Sequence, residues 1–296
     1  MIVRDKPNAL HLLFAVRGSV LPHIAPALMI MISLSVALVL WDRHISQLPH
    51  LNSQPFAMFG VALSLFLGFR NNAAYDRWWE ARKLWGALVA DARALAREAE
   101  LFLPDPATRQ LLLRRFRAFL HLHRCALRGI ALDEAALRQR NAAHLTATQP
   151  DAALTEMNAA LAEAYRAGTL SGFGAQTLSA RMAAISLAQA SCERIKLTPL
   201  PYVYSLLIFR TSWIYCLLLP LALLETAGWL TPVFTAIVGY SFFGLAEVTE
   251  ELAHPFGQTA NALPLDAICR AVEISLAPHL DETAPPPLLP QNYRLD

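Results

Sequence analysis

The sequence predicts an all-α membrane protein: four transmembrane helices, with a large polar helical block between the second and the third. Three observations predict it. Of the 296 residues, 55% are hydrophobic and only 16% charged, and the mean hydropathy is +0.36. That is too apolar for an ordinary soluble domain and too charged for a chain wholly inside lipid. Four apolar runs fall in two pairs, 24–41 with 55–69 and 202–224 with 230–248. Between the pairs, residues 70–197 are rich in Ala, Leu, Arg and Glu, poor in Gly, and apolar at helical spacing.

The first 20 residues carry Arg4, Lys6 and Arg17 beside Leu10, Leu12, Leu13 and Phe14, a pattern suited to lying on a membrane surface or on another part of the protein. Pro22 and Pro26 bracket the entry to Ile24–Trp41, an uncharged run just long enough to span. Its length, its Trp41-Asp42-Arg43 end and the lack of a small-residue cleavage site separate it from a signal peptide, and Trp41 suits a membrane interface. A polar connection follows over 42–54, with Pro49 and Pro55 as breakers. The second run, Pro55–Phe69, is short and turns into the charged, aromatic stretch 70–82 with no Pro and no turn signal. A helix passing from lipid into water without stopping reads this way, and the shortness suits a segment packed on protein or lining a pathway. Val61, Leu65 and Phe69 stand at i, i+4 and i+8, so they share one face as a stripe about 12 Å long. Such a stripe is most often a packing face. Gly68 beside it lets another backbone come close.

In the polar block, helices are predicted over 70–102, 106–128, 151–166 and 176–196, with Pro104 and Pro106 dividing the first two. Residues 130–150 have weaker periodicity and are expected to include a loop. Leu112, Phe116, Phe119, Leu120 and His123 share one face of an amphipathic helix, with Arg114, Arg115 and Arg117 on the others. His121 and His123 are two apart, point away from each other and make no metal pair. Past Leu200, the run 202–224 contains one charge, Arg210, which is expected to be paired or to sit at the interface. Pro220 kinks this run, and 225–228 is a very short connection to the last one. Residues 249–277 are expected to be a cytosolic helical segment, and 278–296, with Pro285-Pro-Pro287 and Pro290, a flexible tail without a fold of its own. Lys and Arg concentrate in the N-terminal segment and the polar block, while the two short connections hold only Arg43. The positive-inside rule therefore puts both termini and the block in the cytoplasm.

Several functions are excluded. A net charge of +2 does not argue for nucleic acid. Cys125, Cys192, Cys216 and Cys269 are too scattered for a disulfide scaffold or a zinc site. No hydrolase, metalloprotease or nucleotide-binding motif is present, so no catalytic or metal-ligating residue is assigned and the chain reads as a non-enzyme. The dense set Asp76, Arg77, Glu80 and Arg82 is expected to pair between neighbouring helices; Glu247, Glu250 and Glu251 form a second acidic set.

The segment Leu67-Gly-Phe-Arg-Asn-Asn-Ala-Ala-Tyr-Asp-Arg-Trp-Trp-Glu-Ala-Arg82, followed in order by Pro199-Leu-Pro-Tyr-Val-Tyr204 and Glu250-Glu-Leu-Ala-His-Pro-Phe-Gly257, resembles the bestrophin family in its bacterial branch. The resemblance covers about residues 1–275. It implies a homopentamer in a bacterial inner membrane, with one pore on the five-fold axis and the lipid bilayer and permeating monovalent ions as its other partners. It implies a hydrophobic pore neck at Val61, Leu65 and Phe69, an inner mouth at Asn71 and Asn72, and a second, cytosolic aperture. By position that aperture is Leu178, with Phe173 and Met182 as alternatives. An apolar ring gates by dewetting, because it gives an ion nothing in place of its hydration shell. Bacterial members resembling this chain imply monovalent cations such as sodium; animal members imply chloride, the runner-up. A membrane scaffold or signalling protein is the reading from another class. Animal members also carry an acidic calcium-binding run after Pro-Phe-Gly. Here the stretch after Gly257 has one carboxylate, Asp266, so no calcium or other cofactor is implied.

Overall fold

A computed structural model describes residues 1–3, 15, 18–49 and 51–296. The amphipathic reading of the N-terminal segment falls largely outside these. Among the described residues every regular element is a helix: α1 (Leu21–His44), α2 (Ser53–Phe102), α3 (Pro106–Arg128), α4 (Glu134–Ala142), α5 (Pro150–Arg166), α6 (Gly172–Leu197), α7 (Tyr202–Ala227), α8 (Thr231–Ala253) and α9 (Leu265–Leu276). Helix α2 runs unbroken for 50 residues through the change from apolar to charged sequence, as the missing breaker predicts. The stretch 130–150, expected to include a loop, contains α4, which starts where Asp133 accepts a hydrogen bond from the Ala136 amide at 2.9 Å.

The chain divides into an apolar unit (Asp5–Trp78 with Pro199–His254) and a polar unit (Met1–Arg4, Trp79–Thr198 and Pro255–Asp296). These joints lie later than the expected 69/70 and 248/249 because side chains just past the apolar runs bond within the apolar unit. Arg70 reaches Glu250 at 2.7 Å, Asn71 accepts from the Thr249 hydroxyl at 3.3 Å, and Arg77 donates to the Ala253 carbonyl at 2.7 Å.

In the apolar unit α1, α7 and α8 pack together, with α2 joining through one line of side chains. The core holds Ile24, Leu28, Met31, Leu63, Leu67, Ile208, Tyr215, Cys216, Leu219 and Phe243. α1 has a mean hydropathy of 2.3 and the stretch Tyr202–Ala253 one of 1.8, both long enough to cross a bilayer. Their outward faces stay apolar: Met29, Ile30, Phe209, Ile214, Val233 and Ile237 are each more than half exposed. Arg210 also faces outward and makes no ion pair among the described residues.

The polar unit is built around α3. Asp105 caps it, accepting from the amides of Ala107 at 3.3 Å and Thr108 at 2.9 Å, with Pro106 next in place. Gly129 ends it in the left-handed conformation, φ 67°. The sequence predicts an amphipathic α3, but residues 116–125 are buried on every side. Its arginines enter the interior because carboxylates wait for them: Arg117 meets Glu282 at 2.7 Å, and Arg124 pairs with both Asp133 and Asp266. His123 is fully buried, its ring stacked between Trp85 and Phe119 with both centroids 5.7 Å away. The four cysteines are free and buried; burial pushes the Cys192 and Cys269 thiols up to about 12.

Residues 278–296, expected from their prolines to be a flexible tail, make several contacts with the rest of the polar unit. Leu280 is buried, Asp281 accepts from Gln110 at 3.1 Å, Arg270 donates to the Pro286 carbonyl at 3.2 Å, and the Tyr293 carbonyl accepts from the Val3 amide at 2.8 Å. Proline runs have no ladder of their own, but the Asp281 and Glu282 carboxylates accept from Gln110 and Arg117 of α3 and the Pro286 carbonyl accepts from Arg270 of α9.

Candidate functional site: the bare face of helix α2

On the apolar half of α2, Phe56, Gly60, Leu63, Leu67, Arg70 and Ala74 form the inner line, spaced by three and four residues. Gly60 sets the depth of contact. A Cβ there would lie 2.6 Å from the Tyr215 hydroxyl, so α2 meets α7 with no room between them. Tyr215 is itself fixed among Phe56, Phe59 and Phe242, with centroids 6.2, 5.8 and 5.4 Å away.

This rotation turns Val61, Leu65 and Phe69 outward, at 62%, 57% and 68% exposure. Met58, at 76%, and Phe66, at 53%, widen the bare surface. An added Cβ at Gly68 would meet nothing within 4 Å. An uncovered apolar surface this large requires lipid, another protein surface or a dewetted passage against it.

The two asparagines part company. Asn72 is exposed and continues the outward line, whereas Asn71 is half-buried and hydrogen-bonded to Thr249; one residue on a helix turns the side-chain direction by about 100°. Asp76 is exposed one heptad beyond Phe69 on the same side. The expected aperture residue Leu178 is corrected by its surroundings: it is wholly buried in the polar unit, as Met182 nearly is, and a side chain enclosed by its own fold cannot line a passage. Of the three positions only Phe173, at 82% exposure, is open.

Charge pairs surround the joints. Glu80 meets Arg194 of α6 at 2.7 Å, as expected for the 76–82 set. Glu250 meets Arg70, and Glu247 meets His23 at 3.4 Å. The sequence singled out both glutamates but not these partners, which lie about 180 and 224 residues away. The one available signal was that Arg70 and Glu250 both fall inside the long motifs. Asp266, the lone carboxylate after Pro255-Phe256-Gly257, is held by Arg124 and by Arg128, the latter at 2.6 Å. Among the described residues no group of three or more His, Cys, Asp or Glu is placed to hold a metal.

Helices long and apolar enough to span, bare apolar sides and charges gathered at the helix ends define an all-helical membrane protein. A sequence model described as Bacterial/Fungal Bestrophin protein matches residues 1–278, and the chain belongs to that family. It is 46% identical to a voltage-dependent anion channel-forming protein of Mesorhizobium japonicum, covering 98% of this chain and 95% of that one. It is 38% identical to the voltage-dependent anion channel-forming protein YneE of Escherichia coli, covering 99% of each. A crystal structure of a bacterial bestrophin homologue from Klebsiella pneumoniae superimposes with a TM-score of 0.81 at 29% identity, covering 88% of this chain and 99% of that one.

Proposed function

We propose that this protein is an ion channel of the bacterial inner membrane and not an enzyme, with both termini cytoplasmic. Copies of α2 surround the pore, in a homopentamer as the family resemblance implies. The observation that carries the reading is the bare line Val61, Leu65 and Phe69, held outward by the Gly60–Tyr215 contact. Assembled around an axis, the line becomes a stack of apolar rings. Each ring strips water from a passing ion without replacing it, so the neck conducts only when wetted. Asn72 continues this line and forms the inner mouth. Phe173 replaces Leu178 as the candidate for a cytosolic constriction.

Anions are the proposed cargo. The relatives at 46% and 38% identity are both named as anion channel-forming proteins, and the neck stripe itself carries no charge. The sodium preference expected from the resemblance has no support from these relatives and becomes the second reading. The exposed carboxylate of Asp76 favours it, since a ring of such groups below the neck would draw cations. Purified protein in a planar bilayer under a NaCl gradient separates the two. A reversal potential near the chloride equilibrium value supports anion conduction; one near the sodium value overturns it and assigns selection to Asp76. No calcium dependence is expected, because Asp266 is already neutralised by Arg124 and Arg128.

A further inference from the structure

The apolar unit contains a cleft of about 490 Å³ among α1, α2, α7 and α8. One end is charged, lined by His23, Arg70, Glu247 and Glu250; the other is aromatic, walled by Phe209, Trp213 and Phe243. The Trp213 and Phe243 rings pack at 5.2 Å, and Phe209 and Trp213 at 6.1 Å. We propose that this cleft binds the headgroup and upper acyl chain of a zwitterionic aminophospholipid.

Three observations lead there. The first is position. His23 lies in the first turn of α1, Arg70 directly follows Phe69 at the end of the apolar run of α2, Tyr202 begins α7, and Glu247 and Glu250 lie near the end of α8. Four helices thus pass from apolar to polar sequence around one cleft, which is the depth at which a bilayer carries its headgroups. The second is charge. Arg70 is 8% exposed and divides its Nη2 between Ser205 at 2.8 Å and Glu250 at 2.7 Å, while its Nε has no partner in the protein. One arginine faces two carboxylates, and Glu247 has only His23 beside it in the cleft. A primary ammonium completes this balance by donating to Glu247. A purely anionic headgroup would lie against two carboxylates with the arginine already engaged. The phosphate of the same headgroup accepts from the Arg70 Nε–H, the donor that the protein leaves without a partner. The third is the aromatic wall, which a small soluble amine does not need and an acyl chain does. Phe209 is 60% exposed and leads from the cleft to the outer face of α7.

The test is native mass spectrometry of the full-length purified protein in detergent, with phosphatidylethanolamine or phosphatidylglycerol added in equal amounts. The wild type should retain the ethanolamine lipid about tenfold more strongly, the scale of one charge-assisted hydrogen bond. Glu247→Gln should remove that preference, and Phe209→Ala, at an exposed position where folding is not at risk, should weaken retention of either lipid. Soluble phosphoethanolamine at the same concentration should displace neither. Equal retention of the two lipids by the wild type overturns the proposal, as does an undiminished preference in Glu247→Gln. Displacement by soluble phosphoethanolamine overturns the lipid as occupant. The readout is binding, so it stands or falls separately from conduction.

Discussion

The missing side chain of Gly60 is filled by the phenol of Tyr215, whose hydroxyl lies 2.6 Å from where a Cβ would stand. One residue later the chain presents Val61 to the outside, so this contact between α2 and α7 sets the rotation of the proposed pore helix. Replacing Gly by Ala inside a helix ordinarily gains about 1 kcal/mol. Here overpacking, at about 1–3 kcal/mol, opposes it. Gly60→Ala is therefore expected to lower the thermal midpoint in detergent and to change the conductance. Tyr215→Phe removes the clashing oxygen, so the double variant should recover the midpoint. A Gly60→Ala protein as stable as the wild type would show that the contact does not fix α2.

His123 gives a second prediction. Burial pushes its imidazole down to about 3 from 6.5, and neither ring nitrogen has a partner. The unfolded chain takes up a proton below about pH 6.5 that the folded chain refuses, so stability falls as pH drops through the window from 6.5 to 3. The loss is about 1.4 kcal/mol per pH unit. His123→Phe should match or exceed the wild type at pH 7 and exceed it by about a further 2 kcal/mol at pH 5. Parallel pH curves for the two proteins would contradict the buried, neutral assignment.

Asp266 is the third. It receives both Arg124 and Arg128, whose side chains are 5% and 8% exposed. Asp266→Ala leaves buried guanidinium charge less compensated and should cost about 3 kcal/mol of stability. Calcium should change neither the midpoint nor the current of the wild type. A calcium-dependent current would show that a carboxylate site exists elsewhere.

Much of this was legible in the sequence because the relevant signals are local. The helix bounds at Pro106–Arg128 and at the start of α7 follow from proline, caps and hydropathy, and the unbroken α2 follows from the lack of any breaker between Phe69 and Arg82. What was not legible depends on distant partners. Leu178 and Phe173 are both apolar residues near one helix start, and only the packing of the polar unit makes one core and the other surface. Asn71 and Asn72 look alike until Thr249 engages one of them. The tail, with four prolines between 285 and 290, gives no periodic signal; it is ordered by donors contributed from α3 and α9. The burial of Arg117 and Arg124 likewise needs Glu282 and Asp266, which lie well over 100 residues away in sequence.

In the proposed channel Leu65, in the middle of the bare line, stands in the conduction path. Single-channel recording of Leu65→Ser beside the wild type, in the same bilayer and salt, tests it most directly. The serine variant should carry a larger open current, because a hydroxyl ring holds water where an apolar ring expels it. Identical currents from the two proteins would contradict it, and would return the Val61, Leu65 and Phe69 face to the role of a packing surface.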